Sequence, residues 1–180
     1  PRTHYAEGGD GIHFERKGIA FEPPGTPLDP STLVIGDTWH VFAGGPTRKP
    51  GANWHGTSRD GRVFVFDEEM DFVKDGRPHA LSNGIAVEGG YRFYAFPHTE
   101  ALVIDSFFTT DGVNWKAEAG TRLEMDASTG LESAGVKDAA VVRLADGTYY
   151  MVYVTQIPEC TTRAATAELN FTPDPGVRVE

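Results

Sequence analysis

The sequence predicts an all-β protein, a β-propeller of four-stranded antiparallel blades, and three observations carry that prediction. Asp-Gly turns recur at Asp10, Asp60 and Asp111, with spacings of 50 and then 51 residues. Hairpins with glycine-containing turns alternate with them. No stretch longer than about ten residues carries a 3.6-residue apolar period, so helices are expected to be few. A sandwich of short strands would also alternate strands with turns, but it does not require an internal period of this length.

The Asp-Gly turns share a setting: GGDGIHFE (Gly8 to Glu15), SRDGRVFVF (Ser58 to Phe66) and TTDGVNWKA (Thr109 to Ala117). Each follows one short strand pattern and precedes another. Trp115 is expected to be the packing aromatic of its turn. Between them lie STLVIGDTWHVFAG, turning at Gly36-Asp37, and SNGIAVEGGYRFYAF, turning at Gly89-Gly90. A third hairpin, VKDAAVVRLADGTYYMVYVT, turns at Asp146-Gly147, a dipeptide that tolerates the positive φ of tight β-turns. The first aromatics after these turns, Trp39, Tyr91 and Tyr149, are expected in the core between blades together with Phe93.

The predicted units are residues 1–22, a trailing pair of strands, then 28–72 and 79–125, each a full blade, then 136–171. Thr161 to Leu169 is expected as a third strand in the last unit, and Glu68 to Val73 as one helical turn. The links are Phe21 to Pro30, with four prolines that rule out a central strand, and Leu123 to Gly135. Three and a half blades do not close a ring, since propellers have about four to eight. The expectation is a segment of a larger propeller, or a ring closed by a partner, including a second copy of this chain.

Composition agrees with a single globular domain: 180 residues, 39% hydrophobic and 23% charged, with 21 Gly and 12 Pro to supply turns. The formal charge of −10 makes nucleic acid or an anionic membrane surface a repulsive partner, whereas a neutral sugar is not disfavoured. One cysteine, Cys160, excludes an internal disulfide. No apolar run reaches the roughly 18 residues of a membrane helix. No signal peptide is visible and the sequence starts at Pro1, so both a secreted and a cytoplasmic location stay open.

In a propeller the first strand of each blade lines the central channel, and polar residues at its entrance converge. Here these are Asp29, the Ser82-Asn83 pair and Asp138. Asp29 lies ten residues before Trp39, and Asp138 eleven before Tyr149. The pieces LDPSTLVIGDTWHVFAG, TSRDGRVF, TTDGVNW and VKDAAVVRLADGTYYMVYVT resemble blades of the five-bladed propeller glycoside hydrolases, the group of arabinanases, β-xylosidases and invertases. The resemblance implies that Asp29, in its Asp-Pro pair, is the base or nucleophile. Asp138 would be a second aspartate that tunes pKa or orients substrate, although Ala139 follows where the family often has Pro. A glutamate would be the general acid. Pro158-Glu159-Cys160 looks like the Glu-Cys pair of the invertase branch, but only 21 residues separate Glu159 from Asp138, less than one blade. Glu100 and Glu132 are therefore the candidates.

Glycoside cleavage needs one carboxylic acid to protonate the leaving oxygen and one carboxylate to attack or to activate water. The function expected is hydrolysis of a glycosidic bond in an oligo- or polysaccharide, with a non-catalytic propeller binding a glycan or protein as the alternative. Asn83, Trp54, His55 and His98 are the candidate sugar contacts, by hydrogen bond or by stacking. The six histidines form no His-x-His or HExxH pair, so no catalytic transition metal is expected. The resemblance implies calcium in the channel of some relatives; no residue pattern here demands it.

Overall fold

The structure is a computed structural model that describes residues 2–156 apart from 131 and 133. It is all-β: β1 (Thr3–Glu7), β2 (Glu15–Phe21), β3 (Leu28–Ile35), β4 (Thr38–Gly44), β5 (Asn53–Ser58), β6 (Val65–Met70), β7 (Val73–Lys74), β8 (Arg77–Val87), β9 (Gly90–Pro97), β10 (Val103–Thr109), β11 (Lys116–Ala117), β12 (Leu123–Glu124), β13 (Gly135–Arg143) and β14 (Tyr149–Gln156). A 3₁₀ turn at Ala127–Thr129 is the one helical segment among the described residues.

The strands form consecutive antiparallel sheets. β1 pairs with β2, and β3-β4-β5-β6 make a four-stranded sheet. The next sheet runs β11-β10-β9-β8-β7, with β12 also on β10, and β13 pairs with β14. Strands joined by short turns pair with their sequence neighbours, as in propeller blades. The Thr161 to Leu169 strand lies outside the described residues. Glu68 to Met70 do not form a helical turn; they extend β6, because Trp54 pairs with Glu69 and Asn53 with Met70. Cross-strand pairing outweighs the local preference of the two glutamates.

Each sheet buries a face against the next. Phe21, Val41, Ala43, Trp54 and Phe64 join the first to the second. Phe42, Phe72, Leu81, Phe93 and Phe107, with Trp115, join the second to the third. Tyr94, Ile104, Val136, Ala139 and Val141 join the third to the fourth. Of the four aromatics expected in the core, Phe93 is fully buried, but Trp39 and Tyr149 are 37% and 48% exposed. They sit at the ends of their hairpins, beyond the packed sheet faces. Tyr91 instead uses its hydroxyl to accept the Gly36 N–H at 3.1 Å, a link between sheets.

The three Asp-Gly turns are built alike. Asp10 accepts the N–H groups of Ile12 and His13, Asp60 those of Arg62 and Val63, and Asp111 those of Val113 and Asn114. Trp115 closes the third turn by donating its indole N–H to Gly112 O at 3.0 Å, while its ring packs on Phe42 and Phe93. A buried polar cluster also ties the third sheet. Asp105, 1% exposed, accepts from Lys74 Nζ at 2.5 Å and faces His79 Nε2 at 3.1 Å.

Candidate active site

The candidate site is built from a defect repeated in three inner strands. Between β3 and β4 the pairing jumps from Leu28 and Gly44 to Ser31 and Phe42, so Asp29 and Pro30 face one residue. Between β8 and β9 it jumps from Leu81 and Ala95 to Gly84 and Phe93, so Ser82 and Asn83 face one residue. Between β13 and β14 it jumps from Lys137 and Val154 to Ala140 and Val152, so Asp138 and Ala139 face one residue. All three are β-bulges at the same place in the blade, and bulges re-aim side chains next to functional sites. β8 packs against both β3 and β13. Gly84 of β8 backs onto Leu33 of β3, and the Val136 N–H of β13 bonds Ala101 O, in the loop from β9 to β10, at 2.7 Å.

The two aspartates are distinguished by their backbone. Asp29 has φ 49° and Asp138 φ 52°, both left-handed, whereas neither Ser82 nor Asn83 has positive φ. A left-handed L-residue costs about 1–2 kcal/mol, least for Asp and Asn. Such a conformation held twice at one blade position is the kind of outlier from which a functional role is inferred. Both carboxylates are exposed. Asp138 lies 3.5 Å from Lys137 Nζ, and Asp29 has no ion pair among the described residues.

The remaining candidates separate. Asn83 turns its amide oxygen to the Val141 N–H at 2.8 Å, so it stitches the third sheet to the fourth and that oxygen is not free for a sugar. Trp54 is fully buried in the core between the first two sheets, so its indole presents no face to a ligand. His55 is fully buried as well, with Nε2 3.0 Å from His40 Nδ1. As strand neighbours they point to opposite faces of the sheet, and both faces are covered, so neither is accessible as a sugar contact must be. His98 is exposed and lines an open cleft with Thr47, Gly51 and Pro78. Glu100 is exposed, in the β9–β10 loop, with φ 55°. Glu132 is 8% exposed, and its two oxygens accept the Asp126 N–H at 2.7 Å and the Tyr153 hydroxyl. That hydrogen bond raises the pKa of Tyr153 above its ordinary value.

Among the described residues, the group of three metal-ligating side chains within reach of one another is His55, Asp67 and Glu68, on β5 and β6.

No family model matches the sequence, and neither does any curated protein. Solved structures do match. The GH32 β-fructofuranosidase of Bombyx mori superposes with a TM-score of 0.66 at 14% identity, over 83% of this chain and 34% of that one. A family 117 glycoside hydrolase of Zobellia galactanivorans gives 0.57 at 15%, over 84% and 51%. The arabinanase of Bacillus subtilis gives 0.54 at 17%, over 71% and 47%. The chain thus spans from a third to a half of the length of these structures. At these identities the likeness establishes the fold: the chain carries part of the five-bladed propeller found in glycoside hydrolases of families 32, 43 and 117.

Proposed function

We propose that this chain supplies carboxylates to the active site of a glycoside hydrolase acting on an oligo- or polysaccharide. The observation that carries the reading is the pair Asp29 and Asp138, each left-handed and exposed in the same bulge of an inner strand. In this reading Asp29 is the nucleophile or the base that activates water, and Asp138 orients substrate or tunes its partner's pKa. Glu100 is the better general acid of the two candidates. It is exposed on the loop whose Ala101 O anchors the start of β13, whereas both oxygens of Glu132 are engaged in holding its loop. Acid and base roles need carboxyls held in different environments around one bond.

The alternative is a propeller that binds a glycan without cleaving it. It is favoured by Asn83 standing at the bulge where its neighbours carry aspartate. Turnover of a panel of chromogenic glycosides and polysaccharides separates the two. The expected result is hydrolysis by the wild type, a fall of about 100-fold or more in Asp29→Asn and Asp138→Asn, and unchanged circular dichroism. Glu100→Gln is expected to lose activity, and Glu132→Gln to lose stability first. A wild type that turns over nothing, yet binds an oligosaccharide in calorimetry, would establish the alternative instead.

A further inference from the structure

The outer edge of the second sheet holds a cluster that the glycosidase reading does not use. Opposite β5, strand β6 carries its own bulge. His55 pairs with Glu68 and Gly56 with Phe66, which leaves Asp67 as an extra residue. A bulge sets two residues of one strand against one of its partner and so can re-aim successive side chains. A His55 ring nitrogen, an Asp67 oxygen and a Glu68 oxygen accordingly lie within 4.8 Å of one another.

His55 is what makes this more than an acidic edge. Its side chain is 1% exposed, and Nδ1 has no hydrogen-bond partner among the described residues. The nearest carboxylate oxygen, Asp67 Oδ2, is 3.5 Å away, long for a hydrogen bond. A buried imidazole nitrogen without a partner has given up its hydration with nothing in return, which is unfavourable. The other ring nitrogen, Nε2, sits 3.0 Å from His40 Nδ1. A proton on Nε2, donated to His40, leaves the Nδ1 lone pair directed at the carboxylates, the arrangement by which a neighbouring group orients a metal-binding histidine.

The carboxylates are also available. Glu69 accepts the N–H groups of Arg48 and Lys49, and Asp71 pairs with Lys49 Nζ. Asp67 and Glu68 have no Lys or Arg partner among the described residues. Glu68 lines a solvent-open cleft with Lys49, Asp71, Asn114 and Trp115, which gives an entry path. In a tetrahedral site with bonds of about 2.1 Å, ligand atoms are about 3.4 Å apart. The His55–Asp67 separation of 3.5 Å already fits that edge, and the exposed Glu68 can close by a change of rotamer.

We propose that His55 Nδ1, Asp67 and Glu68 bind one divalent cation of the zinc class, with water completing its shell, and that the ion clips β5 to β6. Imidazole with carboxylates suits zinc and its first-row neighbours. The site lies on the third and fourth strands of the sheet, away from the Asp29 bulge on the first, so its role is structural.

The test uses the chelator-treated full chain with Zn²⁺ and Co²⁺ as probes. Co²⁺ is expected to give visible absorption saturating at one equivalent. Zn²⁺ at a hundredfold excess over its dissociation constant is expected to raise Tm by about 5–10 °C. The double variant Asp67→Asn/Glu68→Gln, changed at exposed positions, is expected to keep its circular dichroism and lose both responses, while His13→Gln keeps them. Absence of both responses in the wild type at large metal excess overturns the proposal. So does one-equivalent binding that survives in the double variant.

Discussion

Alanine substitution in two of the Asp-Gly turns separates the strain of the backbone from the packing of one sheet on another. Gly11 has φ 74° and nothing within 4 Å of where a Cβ would stand. Gly112 has nearly the same conformation, φ 80°, in the equivalent turn. Its Cβ would lie 2.7 Å from Ile35 Cδ1 and 2.9 Å from His40 Cε1, both on the neighbouring sheet. Gly11→Ala therefore incurs the left-handed penalty alone, about 1–2 kcal/mol. Gly112→Ala adds overpacking of about 1–3 kcal/mol, because Ile35 and His40 are buried and have little room to retreat. The expected difference is about 2 kcal/mol, or ~4–8 °C in Tm for a chain of this size. Urea unfolding followed by circular dichroism measures it, with a lower midpoint and an unchanged slope for Gly112→Ala. If the two variants were equally stable, the stacking of the third turn against β3 and β4 would be wrong, even with the turns themselves correct.

Two further outcomes follow from the charges. Asp105→Asn leaves Lys74 without its buried counter-charge and His79 without its carboxylate neighbour, and breaking such a buried pair costs about 3–5 kcal/mol; a urea midpoint within error of the wild type would refute the cluster. The turn aspartates are held below their ordinary pKa of 3.8. For Asp10, at about 2, the first cause is the His13 side chain, followed by backbone N–H groups. For Asp60 the first cause is the Arg62 N–H, and for Asp111 the Asn114 side chain. Between about pH 4 and 2 the unfolded chain binds more protons than the folded one, so the stability these groups give is complete above that window and lost as pH falls through it. An Asp10→Asn/Asp60→Asn/Asp111→Asn variant is expected to show a flatter acid limb in thermal melts recorded from pH 5 to pH 2.

The repeat was legible because turns are local. An Asp-Gly pair fixes a backbone reversal through its own side chain and φ, so the spacing of Asp10, Asp60 and Asp111 reported the blade period without reference to packing. The matching blade positions of Asp29 and Asp138 were legible for a related reason: they stand ten and eleven residues before the aromatics that follow their hairpin turns. Trp54 and His55 were misread because adjacent strand residues differ in burial only through the sheets that cover each face, and residues distant in sequence supply those sheets. For Trp54 the cover is the β2 sheet; His55 lies on the opposite face, stacked beside His40 and Phe42 of its own sheet. The same limit hid the His55–Asp67–Glu68 group, whose side chains come from two strands brought into register by a bulge that no spacing rule reveals.

The sequence by itself determined the all-β class, the blade period and the positions of the two aspartates, since short-range turn chemistry and strand patterning decide these. The tertiary structure alone decided which polar side chains are free to act. It left Asp29, Asp138, Glu100 and His98 exposed, tied Asn83 and Glu132 into hydrogen bonds, and buried Trp54 and His55 between strands and sheets. The physical reason is that exposure and hydrogen bonding are properties of a side chain's neighbours, and in a stack of sheets those neighbours come from other blades.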